Sequence, residues 1–321
     1  MGKYILKRIL WMLPVLLGVT LIIFTVLYFI PGDPARMILG DDASEEAIQA
    51  LRDDMGLNDP FIVRYVNYVV GICKGDMGVS YVTNQPVSDE IFSRYPTTII
   101  LATVSTLVAV LLAIPLGILA AIYQNSLIDN LSRVVAMIGV SMPNFWQGLL
   151  NILIFAVYLK WLPSSGFSTP AHWILPALTI GTSGAAAIMR TTRSSMLETI
   201  RQDYIRTARA KGASEKTVIW KHALRNALIP VMTVVGLRFG GSLGGSVVSE
   251  QVFGIPGLGK LMIDSINNRN YPVILGGVLL IAFAYGIINL IVDILYAFID
   301  PRIKSQYSTG KKYKKSAAKE A

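Results

Sequence analysis

The sequence contains little charge. Only 15% of its 321 residues are Asp, Glu, Lys or Arg, 53% are hydrophobic, and the mean hydropathy is +0.53. Soluble domains average about 25% charged residues, and a charge at the centre of a bilayer costs about 3 kcal/mol or more. The shortage therefore indicates a protein embedded in lipid. The net charge of +9 does not indicate a nucleic-acid-binding protein, because the basic residues flank apolar runs instead of forming a soluble basic surface.

Residues that carry chemistry are also scarce. Cys73 is the only cysteine, so no disulfide can form within the chain. The two histidines, His172 and His222, are predicted to lie on opposite sides of the membrane, which excludes a metal site between them. The chain has no Gly-x-x-x-x-Gly-Lys-Ser/Thr phosphate loop and is not expected to hydrolyse ATP itself. The sequence predicts no catalytic residue, no metal and no cofactor bound by this chain.

Long apolar segments are abundant. Six of them are long enough to cross about 30 Å of hydrocarbon as helices. They lie near 9–30, 98–123, 134–158, 173–192, 230–249 and 273–299. Gly, Ser and Thr dilute the fourth and the fifth. An all-α polytopic membrane protein with six transmembrane helices is therefore predicted.

The distribution of Lys and Arg predicts the orientation. With these spans, twenty of the 29 basic residues fall on the side of the N-terminus and eight on the other side. Basic residues concentrate in cytoplasmic loops. This count predicts that both termini are cytoplasmic. The first span with its cytoplasmic N-terminal flank then covers 1–30, and the inner side also holds a loop at 193–229 and a basic tail at 300–321. The segment 31–97 is predicted to be extracytoplasmic.

The outer segment 31–97 is long enough for a small helical subdomain. Ser44 is expected to cap a helix that Gly56 ends, and Asp59–Pro60 is expected to start a second helix. Two interpretations remain open for this segment. It either packs on the rest of the protein or docks a partner directly.

The basic segment 203–230 is too polar to cross a bilayer. Its pattern predicts a helix, a turn and a second helix. Gly212 permits a backbone with positive φ that would end the first helix, and Ser214 can cap the second. Small residues around the turn keep its profile low, which suits insertion into a cleft on another protein. Basic loops also serve only to fix topology or to touch anionic lipid. The ordered helix signals favour docking.

Here the sequence resembles a known family. "YIRTARAKGAS" followed by "HALRNALIP" resembles the loop that membrane subunits of ABC importers insert into their ATPase subunits. The general pattern of that loop is Glu-Ala-Ala, three residues, Gly, and later an apolar residue followed by Pro. In this chain Arg206 replaces the acidic residue and Pro230 comes late after Gly212, as in the oligopeptide, dipeptide and nickel branch. "PGDPARMILG", "VSMPNFWQGLL" and "VVSEQVFGIPGLGKLMIDSINNRNYPVI" also resemble that branch. The long segment after the first span resembles the first of its two paired membrane subunits.

The resemblance implies a type I ABC importer permease fold. It also implies a protein of the cell membrane that imports di- or oligopeptides. It implies as partners a homologous second permease subunit, two ATPase subunits that hold ATP and Mg, and an extracytoplasmic solute-binding protein, besides membrane lipid. No nucleic acid is expected. The residues implied in ATPase coupling are Asp203, Tyr204, Thr207, Ala208, Arg209, Lys211, Gly212, Ala213 and Ser214.

A second group of candidates surrounds the fifth span. Arg238 is expected either to reach the inner interface or pair with a carboxylate, which is preferred, or to line the pore, since intramembrane charge marks pathways. The pore-lining candidates are Arg238, Gly241, Ser242, Gly245 and Ser249. Candidates for an outer gate or a binding-protein contact are Glu250, Pro256, Gly257 and Asp264. Asp293, near the cytoplasmic end of the last span, is expected to be a structural hydrogen-bonding residue.

Two other functions remain as alternatives. The same architecture would import nickel chelates or another small solute. A stand-alone secondary transporter is the alternative from a different class, and it would need midplane acids or an inverted repeat, neither of which the sequence displays.

Overall fold

The computed structural model describes residues 2–40, 42–244 and 246–299, and these are almost entirely helical. In this part of the chain the only β-bridge joins Val79 to Pro86. Gly245 and the tail 300–321 lie outside the described residues.

The first half of the chain contains both long helices and the shorter helices of the outer segment 31–97. They are α1 (Gly2–Phe29), α2 (Pro34–Leu39), α3 (Glu45–Asp54), α4 (Phe61–Cys73), α5 (Val87–Ile122), α6 (Leu127–Ser141) and α7 (Asn144–Asn151). The last of these continues as a π-helical stretch over Ile152–Tyr158.

The second half begins with a 3-10 turn at Pro170–Trp173. It continues with α8 (Ile174–Ile200), α9 (Asp203–Ala210), α10 (Glu215–Thr217), a π-helical stretch (Val218–Ala223), α11 (Leu224–Leu243), α12 (Val247–Val252), α13 (Leu258–Asn267) and α14 (Tyr271–Ile299).

Four helices in the described residues are long and apolar enough to cross a membrane. They cover Ile5–Phe29, Val87–Ile122, Glu215–Leu243 and Tyr271–Leu295. A fifth crossing is formed if the pair α6 and α7 counts as one span. α8 has the length of a span, but its Gly, Ser and Thr residues dilute its apolar character. The helical polytopic fold predicted from the sequence is confirmed, and the count of six spans is consistent with these helices.

The predicted third span, 134–158, is not one continuous helix. It bends by 102° between α6 and α7. Pro143 lacks a backbone N–H and disfavours helical geometry at the residue before it. Met142 is accordingly extended, with φ −85° and ψ 129°.

The predicted fifth span, 230–249, also differs from the structure. Its helix begins earlier, so that Pro230 lies inside α11, and it ends at Leu243. The residues from 247 onward form the separate short helix α12. Two helix breaks, one before Asn144 and one after Leu243, therefore interrupt the membrane part of the chain.

α11 packs on α14 through a ridge of glycines. A Cβ atom on Gly236 would lie 2.1 Å from a methyl carbon of Val292, and one on Gly240 would lie 3.2 Å from Tyr285 and Ile288. Glycines four residues apart let two helix backbones approach closely. The opposite side of the same helix is open, because a Cβ on Gly241 would meet nothing within 4 Å.

The outer segment folds as the sequence predicts. The Ser44 hydroxyl accepts a hydrogen bond from the Ala47 N–H, and Gly56 has φ +61° at the end of that helix. Helix α4 packs its aromatic face on α1, where the Phe24 ring lies 5.5 Å from the rings of Phe61 and Tyr65.

A buried asparagine joins the outer segment to the last helix. Asn270 precedes α14 and is 3% exposed. Its side chain accepts a hydrogen bond from the Tyr81 N–H at 3.0 Å and donates one to the Ser80 hydroxyl at 2.8 Å. Nearby, Val87 and Ile91 of α5 are buried against Leu258 of α13 and residues of α14. Residues 74–86, between α4 and α5, form a segment that we call the strap. The strap is thus held by a residue that comes about 190 positions later in the chain.

Candidate functional site

The basic segment forms a closed helical elbow, which we define as residues 203–223. Helix α9 ends in a Schellman motif, in which the Gly212 N–H donates to the Arg209 carbonyl (2.9 Å) and the Ala213 N–H donates to the Ala208 carbonyl (3.2 Å). Gly212 has φ +80°, as the sequence predicts. A side chain there would be strained, although a Cβ would meet nothing within 4 Å.

The second arm of the elbow starts at a capped helix. The Ser214 hydroxyl accepts a hydrogen bond from the Thr217 N–H, which confirms the predicted cap. Glu215 then accepts two hydrogen bonds from the Arg209 guanidinium, at 2.7 and 3.1 Å. This pair joins the two arms across the turn, so that two local devices fix the angle of the elbow.

The inner face of the elbow is buried against the ends of three long helices. Ile205 and Val218 are fully buried and pack in one cluster with Ile118 of α5 and Met196 of α8. Ala227 of α11 completes the cluster. This contact is apolar and closely packed, so the elbow and the ends of these helices share one core.

The exposed face of the elbow carries most of the residues that the resemblance implies in ATPase coupling. Exposed in this chain are Asp203, Tyr204, Thr207, Arg209, Lys211, Gly212 and Ser214. Ala208 and Ala213 are half-buried beneath them. Tyr204 is oriented by the Asn226 side chain, which donates to its hydroxyl at 2.7 Å. The geometry leaves a low, polar turn available to another protein.

The pore candidates meet at a cavity of about 540 Å³, which we call the Arg238 cavity. It is lined by α5, α8 and α11, and by the residues on either side of the two helix breaks, at Asn144 and Ser246. Arg238, Gly241, Ser242 and Ser249 all line it, whereas Gly245 lies outside the described residues. Non-helical backbone at membrane depth is tolerated where it lines a cavity or is buried in protein, and both breaks meet this condition.

Arg238 is exposed and makes no ion pair with any carboxylate in residues 2–40, 42–244 and 246–299. A carboxylate partner, one part of the preferred expectation, is therefore not found within the described chain. That Arg238 reaches the inner interface, or that it lines the pore, stays a prediction.

Comparison with known proteins places the chain in a family. Residues 113–305 match the family described as "Binding-protein-dependent transport system inner membrane component", and residues 1–102 match the N-terminal component of the same systems. The chain belongs to this family. It is thus a membrane permease subunit of an ABC importer and is not itself catalytic.

Curated relatives cover nearly the whole permease. The glutathione transport system permease protein GsiC of Salmonella typhimurium is 46% identical over 304 residues, which are 95% of this chain and 99% of that protein. The dipeptide transport system permease protein DppB of Alkalihalophilus pseudofirmus is 44% identical over 332 residues, covering 95% and 100%.

A solved structure shares the fold. An inward-facing conformation of the MetNI methionine ABC transporter (CY5 native crystal form) aligns with a TM-score of 0.56 and 19% identity. The alignment covers 65% of the permease and 96% of that chain. The ABC importer permease fold and the inner-membrane, multi-pass placement of the chain are shown by these matches.

The outer loop after α12 is held together by Glu250. This residue is fully buried, and its carboxylate accepts hydrogen bonds from the Thr98 hydroxyl and the Lys260 N–H, each at 2.9 Å. Burial raises the pKa of the Glu250 carboxyl above its ordinary value. Gly257 leaves no room for a side chain, because a Cβ there would lie 2.4 Å from that carboxylate.

These contacts separate the four outer candidates. Glu250 and Gly257 are buried, so they hold the loop and present no surface for a binding protein to touch. Pro256 is half-buried, and Asp264 is exposed on α13. A direct contact with a binding protein stays a prediction for Pro256 and Asp264, and an outer gate stays a prediction for all four residues.

Asp293 pairs with Arg8 at 2.8 Å, between α14 and α1. The pair joins the first and the last helix of the permease and agrees with the structural role expected for Asp293.

Two features of the permease escape the sequence reasoning. Asp129 is fully buried at the start of α6, where the Arg193 guanidinium of α8 donates two hydrogen bonds of 2.8 Å to it. Ser126, three residues earlier, caps the same helix, and this Ser-x-x-Asp spacing is the signal that could have found it. Ser105, in the Arg238 cavity, lies beside Thr106 in an otherwise mostly apolar run, and no local pattern marks it as functional.

Proposed function

We propose that this permease is one of two homologous membrane subunits that together form a pore for dipeptides or oligopeptides. Support comes from the two curated relatives, whose names specify glutathione and dipeptide transport. The chain covers almost their full length. The Arg238 cavity would form this subunit's half of the solute path.

The single observation that carries the proposal is the elbow. It presents an exposed polar turn on one side and an apolar core on the other, and that core holds the ends of α5, α8 and α11. We propose that the turn enters a cleft on an ATPase subunit. Closure of the two ATPases around ATP and Mg would then move the elbow, and the three long helices would move with it.

The orientation follows from the same proposal. The elbow and both termini lie in the cytoplasm, and the segment 31–97 faces outward. An extracytoplasmic solute-binding protein would deliver the solute to the outer face, where Pro256 and Asp264 remain candidate contacts. ATP and Mg would bind the partner ATPases and not this chain.

The test is a substitution at the turn of the elbow. Gly212→Val places a β-branched residue at φ +80°, where a residue other than glycine costs about 1–3 kcal/mol. We expect the complex to lose ATPase subunits on purification and to lose both solute-stimulated ATP hydrolysis and uptake, while the permease stays in the membrane. Gly212→Asn should retain most activity, because Asn tolerates this conformation.

Gly75→Val is the matched control. Gly75 has φ +85°, and a Cβ there also meets nothing within 4 Å, but it lies in the outer segment. The control should keep its ATPase subunits. Normal coupled uptake by Gly212→Val would show that the basic segment only fixes topology.

A further inference from the structure

The Arg238 cavity has a one-sided chemistry. Arg238 is the only ionisable residue in its lining, and no carboxylate of the described chain lies within ion-pair distance of it. The other polar lining residues are hydroxyls and one amide, from Ser105, Thr106, Asn144, Ser183, Ser242, Ser246 and Ser249. A charged residue within a membrane-spanning helix usually pairs with another charge or marks a solute path, so this guanidinium is expected to meet an anionic partner.

Two of these hydroxyls are buried without a partner. Ser105 is 1% exposed on α5 and Ser249 is 2% exposed on α12. Neither hydroxyl has a hydrogen-bond partner in the structure. Most buried polar side-chain atoms in proteins are paired. Both residues line one cavity, but their hydroxyl oxygens are covered in this conformation. A polar group of a solute would complete their hydrogen bonding once the neighbouring side chains shift.

Unlike the hydroxyls of Ser105 and Ser249, the Ser242 hydroxyl already has a hydrogen-bond partner, which limits the groups that it can bind. Its hydroxyl donates to the backbone carbonyl of Arg238 at 3.0 Å. It therefore has only acceptor capacity left for a molecule in the cavity. The cavity as a whole offers a charged donor, two free hydroxyls and an acceptor, which match the carboxylate and the amide groups of a peptide.

We propose that Arg238 binds the carboxylate of the transported solute, and that Ser105 and Ser249 bind the adjoining amide or carboxylate oxygens. The inference rests on the proposed function and specifies its solute. The subsite selects short peptides with a free carboxylate over those whose carboxylate is blocked. Arginine suits this role because its planar fork donates two parallel hydrogen bonds to one carboxylate. A volume of about 540 Å³ lies in the range of small-molecule sites.

The test compares two peptides in the complete complex. Tri-alanine and tri-alanine amide are each supplied at a concentration that calorimetry shows to load the solute-binding protein fully. Uptake is measured in vesicles that contain wild-type permease or Arg238→Gln. Because a hydrogen bond to a charged group is stronger than a neutral one, we expect Arg238→Gln to lower tri-alanine uptake about tenfold. Uptake of the amide should change by less than about twofold.

Further variants keep the test decisive. Arg238→Lys retains the charge without the fork, and it should assemble normally and fall between wild type and Arg238→Gln. Ser105→Ala with Ser249→Ala should lower uptake of both peptides about threefold. Arg190→Gln removes an exposed arginine from α8 outside the cavity lining, and it should leave the ratio of the two uptake rates unchanged.

The outcomes separate the subsite from the proposed function. If Arg238→Gln lowers both peptides equally, or neither, the carboxylate contact is overturned. If Arg238→Gln loses the second permease subunit and Arg238→Lys retains it, the arginine pairs with an acid of that subunit, and the subsite is again overturned. If wild-type complex takes up neither peptide, peptide transport itself fails and the inference fails with it.

Discussion

At the scale of residues, a single carboxylate holds two helices of the outer segment together. Asp33 caps α2 by accepting a hydrogen bond from the Ala35 N–H at 3.1 Å. It also accepts hydrogen bonds from Arg52 of α3, at 2.9 and 2.5 Å. The Arg52 guanidinium holds the pKa of Asp33 below its ordinary value of 3.8.

This shift predicts a dependence on pH. A carboxylate whose pKa is lowered by folding stabilises the fold above its ordinary pKa, and that stabilisation disappears as the pH falls through the folded value. The protection of residues 34–54 against hydrogen exchange, relative to the intrinsic rate at each pH, should therefore fall below about pH 3.8. Arg52→Gln should lower this protection already at neutral pH, by a small amount because both side chains are partly exposed.

The control for this measurement is Lys74→Gln. Lys74 makes no ion pair with any of the described residues, and its replacement removes the same charge. Exchange of residues 34–54 should stay as in wild type. An equal acceleration in the control would show that net charge, and not the Asp33–Arg52 contact, protects these helices.

At the scale of helices, the Asp129–Arg193 pair joins α6 to α8 on the N-terminal side of the break between α6 and α7. α6 is bent away from its continuation by 102°, so its position depends on its own contacts with α8. Asp129 has no exposed side-chain surface, and Arg193 is 21% exposed. Removing one partner of a buried ion pair costs about 3–5 kcal/mol.

We therefore expect Asp129→Ala to lower the midpoint of thermal unfolding of the purified complex by several degrees. Arg133→Gln is the comparison, since Arg133 contacts the same carboxylate at 3.3 Å but is 46% exposed. It should cost less than about 1 kcal/mol. Equal losses in the two variants would contradict the structural weight given to Arg193.

Local signals in the sequence predict helix caps and turns in this permease. They do not predict contacts between residues that are distant in the sequence. Ser44, Gly212 and Ser214 lie at caps and turns, where each residue acts on its immediate neighbours, and each was predicted. The bend at Met142 was missed because the prediction averaged the hydropathy of 134–158 over Ser141, Pro143 and Asn144, although Pro143 is itself a local signal for a helix break. The burial of Glu250 was missed because its partner Thr98 lies 152 residues away.

At the scale of the whole molecule, the single cysteine offers a direct test of orientation. Cys73 is free and exposed at the end of α4. We expect an impermeant thiol reagent to label wild-type permease in right-side-out vesicles. Cys73→Ser combined with Ser214→Cys should be labelled only in inverted vesicles that contain the permease without its ATPase subunits, because Ser214 lies on the exposed face of the elbow.

Cys73→Ser alone is the blank and should not be labelled from either side. Labelling of both positions from the same side would contradict the proposed orientation of the elbow and the outer segment. The measurement does not depend on the solute, so it stands even if the transported molecule is not a peptide.

The contact of Asn270 with Ser80 and Tyr81 determines when the permease can finish folding during its synthesis. The strap and the outer end of α5 leave the ribosome early, but the residues that bury them belong to α13 and to the start of α14. A nascent chain therefore carries an uncovered Val87–Ile91 surface until its last quarter is made. A chain that stops before residue 258 should be recognised as incomplete and degraded by membrane proteases, although four of its long helices are already present.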